Sequence, residues 1–153
     1  MVKTKTIIFS ILIIFGLFLY IDYANEQKDI EAAKNWENYR ILLNNEAENI
    51  KNTGRLFDEA QGSADIQQIL DILQPKIDQY ELHLYEAKSF LNNNEELIPN
   101  SFELKTQLDA EITRLKIIRN QLNTFINNYN QNIESYNQQI NYFKSLIDLL
   151  TLL

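Results

Sequence analysis

The feature that most constrains the fold is an apolar repeat between residues 100 and 150. Large apolar side chains recur there with alternating steps of three and four positions. One row comprises Leu108, Leu115, Leu122, Tyr129, Tyr136, Phe143 and Leu150, and the other comprises Ile112, Arg119, Ile126, Ile133, Ile140 and Ile147. Arg119 is the single polar member of the two rows. This spacing is typical of coiled coils and long bundles, and it predicts a helix with a left-handed supercoil.

The repeat includes an unusual tract, FINNYNQNIESYNQQINYF (125–143), whose only charge is Glu134. Tracts rich in Asn and Gln are often disordered or prone to β-aggregation. Here the Asn and Gln residues fall on outward positions, while the apolar rows stay in phase with the helix upstream. We therefore predict a helix with a neutral solvated face. Because Asn is a poor helix former, burial of the apolar rows must stabilise this helix.

Two further helices are predicted upstream, at about 25–61 and 64–92. The later one has a strict heptad row: Ile66, Leu70, Leu73, Ile77, Tyr80, Leu84, Ala87 and Leu91. Pro75 lies off that row, so it either kinks the helix or follows a separate short helix at 65–74. The earlier helix has a looser row: Ala32, Trp36, Tyr39, Leu43, Glu46, Ile50, Thr53 and Phe57.

An uncharged segment, residues 6–21 (TIIFSILIIFGLFLYI), precedes these helices. As a helix it spans about 24 Å, and the stems of Lys3 and Lys5 can extend it toward the bilayer surface. We predict an uncleaved transmembrane anchor with a short cytoplasmic tip in residues 1–23. A cleaved secretory signal, which would leave a secreted protein, is the alternative, but Asp22 is unsuited to a cleavage site ending at Ala24.

The predicted fold class is all-α, with an N-terminal transmembrane helix followed by a long antiparallel three-helix bundle or coiled coil. Three Gly and two Pro among 153 residues leave few tight turns for a β-rich fold. Lys3 and Lys5 precede the apolar segment, and acidic residues follow it. The positive-inside rule then predicts a single-pass protein of the cell membrane, with a cytoplasmic N-terminus and residues 24–153 extracytoplasmic.

Charge and composition disfavour several classes of function. The chain has 14 basic and 21 acidic residues, an excess that disfavours nucleic-acid binding through phosphates. It has no Cys, and His83 is the single histidine, so we expect no metal site and no cofactor. No spacing singles out a catalytic set, and we expect the protein not to be an enzyme.

The third helix, about 75 Å long, outruns the second, about 45 Å long, so part of its apolar face lacks a partner in the chain. A stripe of that kind is typical of an interaction site. We predict that it binds a protein partner or a second copy, whether the helix is straight or folds back. The stripe comprises Tyr129, Ile133, Tyr136, Ile140, Phe143, Ile147 and Leu150.

Arg119, the polar exception in the repeat, has two interpretations. Its side chain can snorkel past the edge of the core. Alternatively it pairs with a buried carboxylate and sets the helix register, with Glu46 of the first helix as the natural partner.

These features favour a non-catalytic scaffold, tether or protein-interaction module at the cell envelope, with the bilayer bound through the N-terminal helix. A ligand-sensing helical ectodomain that works with a partner chain is one alternative. A phage-type envelope lysis component is another, since the apolar end at residues 146–153 suits contact with a second membrane or its protein.

A short C-terminal stretch resembles the last helix of LemA-family proteins. The similarity covers Tyr129-Asn130, Ile133, Tyr136-Asn137, Ile140, Phe143 and Leu146-Ile147. The resemblance implies a membrane span followed by a helical bundle outside the membrane. The family's Leu-Ile-Pro-Asn motif occurs here as residues 97–100, in a predicted inter-helix loop rather than early in the bundle, and the resemblance implies no specific activity.

Overall fold

The computed structural model describes residues 2–60, 63–128 and 133–150, with side chains described for 16–60, 65–126 and 139–150. Four α-helices make up most of these residues: α1 Val2–Arg55, α2 Ser63–Asn93, α3 Ser101–Asn128 and α4 Ile133–Asp148. A short 3-10 helix, Leu56–Asp58, follows α1. These ranges contain no strand, which confirms the predicted all-α class and helical bundle.

Helices α1 and α2 pack antiparallel along the bundle. The Tyr39 and Phe90 rings lie 5.4 Å apart near one end. Further along, Glu46 contacts His83, and Thr53 accepts a hydrogen bond from the Lys76 ammonium at 2.8 Å. Residues with higher numbers in α1 thus contact residues with lower numbers in α2, as in any antiparallel pair. We call the end near Ala32 the anchor end, because the predicted anchor precedes it in the sequence, and we call the end near Phe57 the far end.

The strict heptad row of α2 forms the centre of the core, as predicted. Each of its members from Ile66 to Leu91 is buried, and most are fully enclosed. They face Leu108, Leu115 and Leu122 of α3, which are also buried. The short connection between α2 and α3 makes these helices antiparallel neighbours, as short helix–helix connections do in bundles.

Helix α2 continues through Pro75 without a break, so the predicted separate helix at 65–74 does not form. Pro75 lies on the exposed side of the helix, between the buried Leu73 and Ile77. The missing backbone hydrogen bond therefore faces water, and the apolar row on the opposite side packs without interruption.

The predicted third helix, at 100–150, is replaced by two helices, α3 and α4. Helix α4 folds back toward the anchor end, since Phe143 contacts Phe57 while Ile147 lies against Gly54. It packs against both α3 and α1. Folding back allows the apolar rows to be buried inside one chain. The bundle therefore has three helices at the anchor end and four at the far end.

Within the parts of the chain whose side chains are described, no helix is long and apolar enough to cross a membrane. The side chains of residues 6–15, most of the predicted anchor, lie outside those parts. The backbone there belongs to α1, which runs without interruption from Val2 into the bundle.

Candidate functional site

The candidate site is the far end of the bundle, where α4 meets α1 and α3. The Phe57 ring stands at its centre. It lies 6.0 Å from the Phe143 ring of α4, at an interplanar angle of 83°. It also lies 6.4 Å from the Phe125 ring of α3, at 74°. Both contacts have the edge-to-face geometry that aromatic pairs favour, so Phe57 joins the two later helices.

Gly54 allows α4 to approach α1 closely. A Cβ atom added to Gly54 would lie 3.1 Å from Cδ1 of Ile147 and 3.4 Å from its Cγ2. Any larger residue at 54 would therefore require Ile147 to move. Beside this contact, the Lys144 ammonium forms an ion pair with the Asp58 carboxylate. The α4 interface thus has an apolar centre and a charged edge.

The predicted interaction stripe is covered by the chain itself wherever its side chains are described. Ile140 is 7% exposed, Phe143 2%, and Ile147 and Leu150 1% each. The side chains of Tyr129, Ile133 and Tyr136, which complete the stripe, lie outside the described residues. Spacing in the sequence identified the apolar face of α4 and left its partner open. The fold supplies α1 and α3 as that partner.

The two members of the predicted register pair have different polar partners. Arg119 forms ion pairs with Asp78 and Glu81 of α2 at the outer edge of the α2–α3 contact. Glu46 instead contacts Nδ1 of His83, 2.8 Å away. Arg119 is about one-third exposed, so its charge reaches water. The predicted Arg119–Glu46 pair therefore does not form, because each residue contacts a different side chain of α2.

Glu111, which the apolar rows did not identify, is fully buried in α3. The Tyr80 hydroxyl donates a hydrogen bond to its carboxylate at 3.2 Å, and the Arg114 guanidinium donates another at 2.9 Å. Burial, followed by the negative charge of Glu111, raises the pKa of the Tyr80 hydroxyl. A buried carboxylate with two donors is a satisfied structural group, and it fixes how α2 and α3 align.

A third row explains why Glu111 was missed. Glu111, Ile118 and Phe125 are spaced by seven residues, and all three are buried. They lie beside the two predicted rows. Helix α3 contacts α2 on one side and α4 on the other, so its buried face is wider than a two-helix seam. The recurrence of Ile118 and Phe125 seven residues apart was the available signal.

Metal-binding geometry is not evident in the described part of the chain. No group of three or more His, Asp or Glu side chains lies close enough to hold a metal ion there. His83 is placed between helices by Glu46, whose carboxylate oxygens lie 2.8 and 2.9 Å from its Nδ1. This contact is a polar link between α1 and α2.

The start of α1 exposes a continuous set of large apolar side chains. Helix α1 first enters the core at Ala32, and residues 16–31 lie outside the bundle, all of them exposed except the half-buried Ala24. The exposed side chains near its start are Leu17, Phe18, Leu19, Tyr20, Ile21 and Tyr23, each at least half exposed. They point in all directions around the helix, which distinguishes them from the one-sided stripe of a bundle helix.

A shallow hollow lies between α1 and α2 near the anchor end. It has a volume of about 360 Å³ and is lined by Asn35, Asn38, Tyr39, Leu42 and Phe90. Tyr39 and Phe90 form its floor through their tilted ring contact. The hollow opens broadly to solvent and presents both amide and apolar groups.

Comparison with known proteins gives no match. No protein-family model matches the sequence, and no curated protein or solved structure is significantly similar to it. The LemA resemblance of the C-terminal stretch is therefore limited to the short set of residues that carry it.

Proposed function

We propose that this protein is a single-pass, membrane-anchored helical scaffold or tether at the cell envelope, without catalytic activity. The observation that carries the proposal is the exposed apolar start of α1, from Leu17 to Tyr23. Apolar side chains on every side of a helix are stable in lipid rather than in water. The uncharged run extends this surface back to Thr6. The bilayer is thus its proposed partner.

The architecture suits a tether because one helix, α1, includes both the proposed membrane anchor and the first helix of the bundle. Helix α1 leaves the apolar segment at about Ile21 and continues to Arg55 without a break. Residues 22–31 form an exposed stalk of about 15 Å before the bundle begins at Ala32. A bundle mounted on an unbroken helix is held at a set height above the bilayer. The cytoplasmic N-terminus of the proposal follows from Lys3 and Lys5.

The test is membrane retention of the full chain at alkaline pH. We expect the wild-type chain to stay in the membrane pellet after carbonate extraction. The double variant Leu17→Arg with Leu19→Arg should move at least partly into the supernatant, because charge is costly within the hydrocarbon. Ile41→Arg is the matched control, since Ile41 is also half exposed but lies on the bundle. Release of the wild type, or equal release by the control, would reject the anchor.

The intact mass of the membrane-bound chain separates the anchor from a cleaved signal. The anchor requires Met1 or its neighbour at the N-terminus, whereas signal cleavage would leave a chain beginning near Asn25. The chain contains no Cys, so a single Asn25→Cys variant can then report topology. Labelling by an impermeant maleimide from outside the cell is expected. Labelling only after lysis would reverse the proposed orientation.

A further inference from the structure

The surface of α1 and α3 that receives α4 has a known occupant of defined chemistry. That occupant is the segment 133–150 of the same chain, which buries Ile140, Phe143 and Ile147 there. We call this surface the α4 groove and define it by Gly54, Phe57 and Phe125. A second copy of the chain presents an identical α4. The groove of one copy therefore fits the α4 of another as closely as it fits its own.

The sequence is equally compatible with α3 and α4 forming one continuous helix. The apolar rows keep their spacing of three and four from Leu108 to Leu150, including residues 129–132, which lie outside the described part. The sequence contains neither Gly nor Pro after Pro99. A rigid turn normally uses such residues, and a sequence that requires the turn would interrupt the repeat. The same rows are thus suited to both arrangements.

We propose that two copies of this protein associate by exchanging α4, so that each α4 lies in the α4 groove of the other copy. Exchange of an identical element is a low-cost route to a dimer, because every contact of the monomer is kept. The exchanged pair buries the same side chains as the single chain.

The direction of the helices determines how the two copies lie. In the groove, α4 runs antiparallel to α1, from the Phe57 contact toward Gly54. A straight α3–α4 helix points away from its own anchor end, in the direction of its own α1. It can enter a second groove in the observed direction only if the second copy is inverted. The two bundles therefore meet at their far ends, related by a two-fold axis, and their N-terminal helices leave at opposite ends.

This arrangement rests on the proposed tether function and extends it. From Ile21 to Phe57, each copy contributes about 54 Å, and the straight helix from Phe125 to Phe143 holds the two Phe57 rings about 27 Å apart, so the two apolar segments are separated by about 135 Å. Such a dimer has one anchor at each end and therefore joins two facing membranes. The partner implied is a second copy of this chain in the opposite membrane.

A designed disulfide can distinguish the two arrangements. A Cβ at position 54 lies 3.9 Å from the Cβ of Ile147, within the range of disulfide geometry. The double variant Gly54→Cys with Ile147→Cys also removes the Ile147 atoms that crowd position 54. The natural chain has no Cys, so no other bridge can form. An unexchanged chain closes the bridge within itself, whereas exchanged copies close it between two chains.

The experiment uses the full chain in detergent micelles over a range of protein concentrations, oxidised and analysed without reducing agent. Exchange predicts a covalent dimer whose fraction rises several-fold as concentration rises tenfold. Each single-Cys variant is the control and should stay monomeric, since the two copies of one position lie far apart. Intrachain bridges alone at every concentration would overturn the exchange, as would equal dimer formation by a single-Cys variant.

A second arm tests the inverted arrangement with two populations of vesicles, each carrying the double variant with a different tag. Covalent dimers that combine both tags are expected after the populations are mixed. Dimers restricted to copies of one vesicle would overturn the end-to-end arrangement. Membrane retention is measured separately by carbonate extraction. A chain that is retained but forms only intrachain bridges rejects the exchange and leaves the anchor in place. A chain that is released but forms interchain dimers rejects the anchor and supports the exchange.

Discussion

Among the side chains that the structure describes, Tyr80 is the largest that is fully enclosed, and its hydroxyl donates a hydrogen bond to the buried Glu111 carboxylate. Burial and the charge of Glu111 raise the pKa of this hydroxyl above its ordinary value of 10.0. A group whose pKa is raised in the folded state binds its proton more tightly there than in the unfolded chain. The stability that it contributes is complete below pH 10 and is lost as the pH rises above that value.

Tyr80→Phe should therefore weaken the alkaline loss of stability. We expect the free energy of unfolding of the wild type to fall as the pH rises from about 10 to about 12, and to fall less steeply in the variant. Urea unfolding followed by circular dichroism at each pH measures both slopes. Tyr85→Phe is the control, because Tyr85 lies on the same helix and is 44% exposed. Equal slopes in the two variants would contradict the assignment to Tyr80.

Arg119 presents a second residue-level case, with its ion pairs to Asp78 and Glu81 lying partly in water. Exposed pairs contribute little and are screened by salt. Arg119→Met should lower the free energy of unfolding by about 0.5–1 kcal/mol at low salt and by less in high salt. Arg40→Met is the control, since Arg40 pairs with Glu37 within one exposed helical turn and should contribute still less. An increase in stability of the Arg119 variant would show that the pairs are unfavourable.

The sequence predicted which residues are buried better than it predicted their partners. The heptad row of α2 is buried throughout, and Tyr80 lies inside as its position required. Arg119 and Glu46 were matched by charge alone, and each pairs with α2 instead. A heptad position specifies the face of a helix that a side chain occupies. It does not specify which neighbouring helix that face meets, because that depends on the order of helices around the bundle.

At the scale of elements, the contact of α4 with α1 depends on the absence of a side chain at Gly54. Gly→Ala in a helix normally stabilises by about 1 kcal/mol. Here the added Cβ would lie 3.1 Å from Cδ1 of Ile147, so part or all of that gain should be lost. Ile147→Val removes Cδ1. In that background we expect Gly54→Ala to recover its stabilising effect.

The four chains of this double-mutant cycle can be compared by urea unfolding. A coupling of about 0.5–1 kcal/mol between positions 54 and 147 is the expected result. Leu149→Ala provides a control, because Leu149 directly follows α4 but is 57% exposed. If Gly54→Ala has the same effect in the wild-type and Ile147→Val backgrounds, the close approach of α4 does not limit stability.

The division of the predicted third helix is the main point that sequence reasoning left open. Its apolar rows can be buried by any surface of suitable shape, whether that surface belongs to a partner chain or to another helix of the same chain. Residues Ile140, Phe143 and Ile147 are buried as an apolar repeat requires, but they are buried in the same chain. The local spacing of apolar residues carries no information about the contact between Phe143 and Phe57, because the two residues are far apart in the sequence. The all-α class was predictable because it depends on local patterns alone.

At the scale of the whole molecule, the unbroken α1 makes the height of the bundle a function of helix length. Duplicating residues 24–30 in the stalk adds two turns and should raise the far end by about 10 Å. A dye at Glu59→Cys and an acceptor in the bilayer can report the change by energy transfer. An insertion of the same length between Asn94 and Glu95, in the connection from α2 to α3, is the control. No change in transfer for the stalk duplication would show that the stalk does not set the height.

The continuity of α1 also makes the protein a lever. In the anchored state, the part within the bilayer and the part within the bundle cannot lean independently, since no break separates Val2 from Arg55. Membrane-spanning helices are tilted by about 20° from the bilayer normal on average. Over the 34 residues from Ile21 to Arg55, such a lean sweeps the far end sideways by about 17 Å. A change in the tilt of the anchor is thereby amplified into a lateral displacement of the surface that carries α4.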